Sequence, residues 1–365
     1  MPPLTTPKYT RSSTTTMRLN TLPRAGLAVT PTPLQPLPNL TEHLGGPTIL
    51  VKRDDLTGLA FGGNKARKLD YLMGDALQKK ADIIVTGAGF HSNWCTQTAA
   101  ACCKLGLPLI LVKSGPEDGY DPDQWDGNHL LHHLCGADIT ILKEGSGQRR
   151  QEITDELRAK GRNPYLMPVG GSTPLGAAGY VHCMLELLTQ AVDQTTKVTH
   201  LYHATGSGGT QTGLALGAKA LNTGIKVVGV STGFGDSARR KENLLKLSHE
   251  TAEFLEIETR LTETDIHVLD QYSEGYGYAT EAKTEAIKLL AEKEGLLIDP
   301  VYTATAMAAL IDDARTGKLT EDDTAVFLHT GGTAALFPYR DTLKAYTQGK
   351  PFPWKIPQWS PDYTG

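Results

Sequence analysis

From Asp82 onward, apolar strand-like runs alternate with amphipathic stretches, and this alternation constrains the fold more than any other feature. The pattern predicts strands over residues 83–86, 108–113, 138–142 and 164–168, separated by helices over 94–105, 128–135 and 148–160. Strands joined through helices must cross over and pair in parallel, which leaves both faces of the sheet to be covered. A second series follows: a helix over 175–190, a strand over 198–203, a helix over 211–221 and a strand over 226–231. Helices over 237–255 and 280–294, a short helix from Thr305 and a strand over 325–329 complete it. Upstream, a turn of helix over 40–44 and a strand over 48–52 precede a helix from Asn64 to about Lys80. No repeat at solenoid spacing is present. The expected fold class is α/β, with two open, twisted, mostly parallel sheets flanked by helices. The ligand cleft should lie between them, beyond the carboxyl ends of the strands.

Composition narrows the function classes. At 365 residues the chain can build two cores, and its net charge of −4, without a long basic stripe, argues against nucleic acid as a partner. No apolar run reaches membrane-spanning length. The five cysteines form no C-x-x-C pair and lie in apolar segments, as reduced cysteines of a cytoplasmic protein do. Residues 1–41 hold no Asp or Glu, while Lys8, Arg11, Arg18 and Arg24 sit among Ser, Thr and Pro. Such a segment reads either as a disordered tail or as a mitochondrial presequence, although Pro2, Pro3 and Pro7 do not suit an amphipathic helix.

Within the helix from Asn64, a natural N-cap, Leu69, Leu72, Met73 and Ala76 gather into one apolar stripe that also takes in Lys65. Arg67 projects to the opposite face and Lys68 to the margin, where a lysine is solvated or paired. A core-facing amine loses proton affinity and becomes a nucleophile toward an aldehyde, which makes Lys65 a candidate Schiff-base lysine. The plainer alternative is a first-turn lysine that snorkels to solvent.

Three strand ends carry glycine-rich loops. Thr205-Gly206-Ser207-Gly208-Gly209-Thr210 precedes a helix, and its backbone N–H groups can converge on an anion there. It lacks the Gly-Lys-Ser/Thr of a Walker A loop, and Gln211 stands where G-x-G-x-x-G needs its third glycine. A cup without a lysine suits a phosphate monoester held by main-chain donors. The loop from Thr86 to Asn93 ends in the capping residues Ser92 and Asn93 and offers a helix start to a carboxylate. The loop from Leu328 to Thr333 brings the hydroxyl of Thr330 to the cleft. Each loop taken alone is also a plain tight turn. A lysine imine, a phosphate cup, a carboxylate-sized anion site and no metal motif together point to pyridoxal 5′-phosphate acting on an amino acid.

These motifs resemble those of the 1-aminocyclopropane-1-carboxylate (ACC) deaminase/D-cysteine desulfhydrase family. The resemblance runs from Val51 through the Lys65 block, His91-Ser92-Asn93, Thr205–Thr210, Gly275-Tyr276-Gly277, residues 298–303 and His329-Thr330, and covers about Thr32 to Tyr339. It implies a tryptophan-synthase-β-like fold (fold type II), pyridoxal phosphate as cofactor, a small amino acid as substrate and a homodimer. It divides the chain into a tail (1–24), a large cofactor-binding domain (25–67 with 172–365) and a small domain (68–171). Lys65 would be the covalent lysine, Asn93 would hold the phenolic oxygen, and Thr205, Gly206, Ser207, Gly208, Gly209 and Thr210 the phosphate. Ser92, with its neighbours, would face the substrate carboxylate and Cα, and Tyr276 and Tyr302 would line the reactive face. Thr303 and Thr330 stand where the deaminase branch has Glu and Leu, which places the chain nearer the desulfhydrases and makes both threonines neighbours of the cofactor ring. His91 replaces a glutamine of the family and would touch the substrate as a cation, an acid/base group or a steric wall. The implied reaction is conversion of D-cysteine to pyruvate, sulfide and ammonia. Elimination or replacement of another β-substituent, or ACC deamination, are the enzymatic alternatives, and a non-catalytic cofactor- or nucleotide-binding protein is the other class.

Two further patterns carry less. His129 and His133 stand at i,i+4 beside His132 and Cys135, a spacing zinc sites use, but with no distant ligand set or carboxylate base. The Tyr276/Tyr278 pair reads as core packing, and only the resemblance lifts Tyr276 above that.

Overall fold

The computed structural model describes residues 18–115, 125–233 and 237–350. Short Val/Ile/Leu-rich runs form the central strands, buried on both faces as parallel sheets require. The chain lays down β1 (Leu34–Pro36), β2 (Thr48–Lys52), β3 (Ile83–Thr86), β4 (Leu109–Ser114) and β5 (Asp138–Leu142). Then come β6 (Pro164–Leu166), β7 (His200–Thr205), β8 (Lys226–Ser231), β9 (His267–Leu269) and β10 (Thr324–Leu328). One sheet has the order β1-β2-β10-β7-β8-β9, and only the β1–β2 pairing is antiparallel. The other, β5-β4-β3-β6, is wholly parallel, so the chain reverses its direction of travel across the sheet beside β3. The expected α/β architecture of two open, mostly parallel sheets is therefore present.

Local differences have local causes. The helix expected from Thr305 spans Thr303–Arg315, because Asp299 accepts the Thr303 N–H at 3.0 Å and caps it two residues earlier. β9 escaped the sequence pattern because three half-buried edge residues show no period. The helix Lys65–Gln78 runs unbroken through the boundary expected at 67/68, so a helix and not a linker joins the two sheets there. Of the expected tail, residues 1–17 lie outside those described. The next residues pack onto the body: Leu19 is buried and Arg24 meets Asp70. Among the described residues no helix is long and apolar enough to cross a membrane.

The Lys65–Gln78 helix has its expected stripe: Leu69, Leu72, Met73 and Ala76 are buried, in a cluster with Trp94, Cys95, Leu111 and Met167. Burying each leucine contributes about 2 kcal/mol. Its other face is buried as well. There Arg67 makes two-pronged contacts with Asp54 (2.9 Å from Nε and from Nη2) and with Glu186 (2.9 Å from Nη1 and from Nη2). Tyr180 donates to Asp54 at 2.6 Å, and Lys52 adds a bond to Glu186. Burial alone would raise the Glu186 pKa, but Arg67 and Lys52 outweigh it and hold the carboxyl at about 2.

Removing one partner of a buried ion network strands the others. Arg67→Met should lower unfolding stability by about 3–5 kcal/mol, read as a shift in the urea midpoint. A shift under about 1 kcal/mol would show that the clamp is not a stabilising contact.

Candidate active site

A cavity of about 860 Å³ opens where the carboxyl ends of the two sheets converge. Its wall takes Ala88, Gly89, Phe90, Ser92, Asn93 and Trp94 from the loop and helix start after β3, and Ser114 from the end of β4. Glu144 follows β5, Gly170 follows β6, Ala204–Gly208 lie at and after the end of β7, and Thr330 follows β10. Asn64, Lys65, Lys68, Thr210, Tyr276 and Tyr302 also line it.

Lys65 is the first residue of its helix, and the loop after β10 holds its turn in place. Asn64 N–H donates to the Thr330 carbonyl at 3.0 Å, and Gly63 pairs with Gly331 in an isolated bridge. Asn64 occupies the N-cap position but its side chain caps nothing. Instead its Oδ1 accepts from Lys65 Nζ at 2.8 Å and its Nδ2 donates to Thr210 Oγ1 at 3.0 Å, tying the lysine to the phosphate cup. Burial, partly offset by the Asp299 charge, lowers the Lys65 pKa to about 8.

The structure corrects the placement of Lys68. It is buried, it lines the cavity, and its Nζ donates to the Gly170 carbonyl at 3.1 Å. Burial, then repulsion from Lys65, pushes its pKa well below that of an ordinary lysine. Among the described residues no carboxylate is paired with it. The signal was present in the spacing, since residues i and i+3 are neighbours on one helix face. The expected cup without a lysine thus has one. A Cβ on Gly209 would come within 3.0 Å of Lys68 Nζ and 2.9 Å of Ser172 Oγ, so Nζ sits against the loop backbone. Gly208, at φ 90°, makes the turn into the helix Gly209–Ala220. Thr205 Oγ1 is buried with no hydrogen-bond partner. A desolvated amine that an anion would help to protonate, an orphaned hydroxyl and the start of a helix are what a phosphate monoester satisfies, so these residues fit pyridoxal 5′-phosphate.

Tyr276 and Tyr302 meet across the wall with hydroxyls 2.5 Å apart, and the Tyr276 ring lies over Gly89, where a Cβ would come within 2.9 Å of it. Ser92 caps its helix, accepting from Trp94 N–H at 3.2 Å.

Two other placements differ from expectation. His91 is absent from the wall. Its ring packs on Phe90 (4.8 Å between centroids) beneath the turn, and burial, then the charges of Lys113 and His129, lower its pKa to about 3. It is neutral and turned inward, because Phe90 and Ser92 on either side take the cavity face. Thr303 is also off the wall, with its hydroxyl donating to Asp299 Oδ1 at 2.6 Å. Asp299, which sequence reasoning passed over, is fully buried and accepts from the backbone of Val301, Tyr302 and Thr303. His129 is committed to Lys113, whose Nζ lies 2.8 Å from its Nδ1.

The family profile described as "Pyridoxal-phosphate dependent enzyme" matches residues 26–331. The chain is 40% identical over 328 residues to a "Putative 1-aminocyclopropane-1-carboxylate deaminase" of Pyrococcus horikoshii, covering 88% of this chain and 95% of that one. It is equally 40% identical to a "D-cysteine desulfhydrase" of Salmonella paratyphi B, covering 88% and 97%. A crystal structure of an "ACC deaminase homologue" superposes with a TM-score of 0.82 at 37% identity, over 92% of this chain and 99% of that one.

If burial sets the Lys65 amine, its modification by an amine-directed reagent in the cofactor-free protein should rise with pH to a midpoint near 8. Ordinary lysines titrate near about 10.4. The depressed pKa means that the reactive neutral form accumulates above pH 8, so the rate must fall as pH drops through that value. A midpoint near 10 at Lys65, read by peptide mapping, would contradict the burial.

Proposed function

We propose that this chain, which belongs to the ACC deaminase/D-cysteine desulfhydrase family of pyridoxal-phosphate enzymes, is a lyase that eliminates the β-substituent of a small D-amino acid. Its fold is tryptophan-synthase-β-like. The first substrate is D-cysteine, which with one water gives pyruvate, hydrogen sulfide and ammonia.

When bound, the cofactor supplies an aldehyde that takes an amine and a ring that accepts the electron pair left at Cα. Lys65 Nζ, with its pKa near 8, serves as the nucleophilic amine and afterwards as the base that holds the Cα proton. Lys68, Thr205 and the Gly206–Thr210 backbone hold the phosphate, and Asn93 the phenolic oxygen. Ser92 and the helix start at Asn93 receive the substrate carboxylate. The hydroxyls of Tyr276 and Tyr302, close enough to share a proton, face the leaving group.

The observation that carries the choice of reaction is Thr330 on the cavity wall. Among the described residues the wall's one carboxylate is Glu144, which follows β5 in the other sheet. A ring nitrogen beside a hydroxyl stays nearer neutral than one beside a carboxylate, and that suffices where a thiolate leaves from Cβ. Identity to the two named relatives does not choose between them, so the site residues must. A homodimer in solution is part of the same reading.

Purified protein loaded with pyridoxal phosphate should release sulfide and pyruvate from D-cysteine faster than keto acid from L-cysteine, D-serine or ACC. Lys65→Ala should abolish that release. Turnover of ACC without sulfide from D-cysteine would overturn the assignment.

A further inference from the structure

An asparagine can present either end of its amide to a ligand, and only the Nδ2 end donates to a phenolate oxygen. The orientation of Asn93 is set from behind. Asn128, buried in the helix Gly127–Leu134, donates its Nδ2 to the main-chain carbonyl of His91 at 2.9 Å and to Asn93 Oδ1 at 2.9 Å. A main-chain carbonyl only accepts, so it determines which end of Asn128 is nitrogen. The other end, Asn128 Oδ1, accepts from Thr96 Oγ1 at 2.8 Å. Thr96 has one hydroxyl proton and places it there. Its second contact, 3.0 Å from His132 Nε2, must therefore be donated by the ring. His132 is fully buried, and its Nδ1 has no hydrogen-bond partner. Burial, then the charges of Lys113 and His129, outweigh a hydrogen bond to the Ser92 main chain and keep the ring neutral, and the Thr96 contact places its one proton on Nε2. Donation thus runs one way, from His132 to Thr96 to Asn128 to Asn93, and leaves the Asn93 Nδ2 donors as the unused end.

We propose that Asn128, backed by Thr96 and His132, is a positioning residue that locks the Asn93 amide with its Nδ2 donors available to the phenolic oxygen of the cofactor. This rests on the reading that Asn93 holds that oxygen. A flipped Asn93 would set its own NH₂ against that of Asn128 and aim a carbonyl oxygen at a phenolate, so both contacts would turn repulsive together. The relay joins two helices, Asn93–Leu105 and Gly127–Leu134, and each of its contacts links residues more than thirty positions apart in the chain.

The test titrates pyridoxal 5′-phosphate into the cofactor-free wild type and into Asn93→Ala, Asn128→Leu and Thr96→Val. It reads the dissociation constant and the pH midpoint of the bound chromophore, with thermal midpoints measured alongside. Gln97→Leu, buried on the same helix and outside the relay, is the control for a merely structural change. Asn93→Ala and Asn128→Leu should both weaken binding about tenfold. Both should move the chromophore midpoint upward, because a phenolate that has lost a donor holds its shared proton more tightly. Thr96→Val should do the same by roughly threefold, and carries the test if Asn128→Leu does not fold. Gln97→Leu should leave the midpoint in place. A chromophore moved by Asn93→Ala but unmoved by a folded Asn128→Leu overturns the proposal. A chromophore unmoved by Asn93→Ala overturns the reading of Asn93 itself, and the proposal with it. Imidazole nitrogen shifts of His132 in the cofactor-free protein check the relay without cofactor: the Nε2-protonated neutral ring supports it, and a proton on Nδ1 contradicts it.

Discussion

The arrangement depends on the buried guanidinium of Arg67, held at once by Asp54 and Glu186. The clamp fixes the rotational phase of the helix Lys65–Gln78. At about 100° per residue, Lys65 lies about 160° from Arg67, and Lys68 only about 60° from Lys65. Turning Arg67 into the clamp therefore turns both lysines away from it, toward the cavity. Asp54 follows β2, the guanidinium belongs to the helix, and Glu186 belongs to the helix Pro174–Asp193, 119 positions on, so three separate segments agree on one angle.

The same clamp explains how three basic side chains on one short helix serve different ends. Arg67 has two carboxylates and its pKa is raised. Among the described residues Lys65 and Lys68 have none in contact, and burial lowers both. A lysine without a counter-ion in a dry site is costly unless it is neutral or meets an anion. Lys65 suits the first condition and Lys68, against the glycine loop, the second. The site is thereby set up for a ligand that carries both an aldehyde and a phosphate.

Much of this was legible in the sequence because it rests on local rules. Glycine loops at strand ends, the Ser92 cap and the apolar stripe of the lysine helix all follow from spacing and residue type. Lys68 was misplaced because an apolar projection weighs hydrophobicity and overlooks that i and i+3 share a face. His91 was expected at the substrate because it adjoins Ser92, yet neighbours in a tight turn point in opposite directions. Thr303 reads as a cavity hydroxyl until Asp299, four residues earlier, captures it at the helix start. Asn128 gave no signal at all. Its partners at His91, Asn93 and Thr96 come together only when the two helices pack.

Burial alone does not single out Lys65, since Lys113 and Lys283 are also held down, near 7 and 8, by desolvation. What distinguishes Lys65 is position, on the cavity wall and tied through Asn64 to the phosphate loop. Borohydride reduction of the cofactor-loaded protein, followed by peptide mass mapping, tests that claim directly. A single reduced phosphopyridoxyl group, on Lys65, is the expected result. A group on Lys68, Lys113 or Lys283 would contradict it.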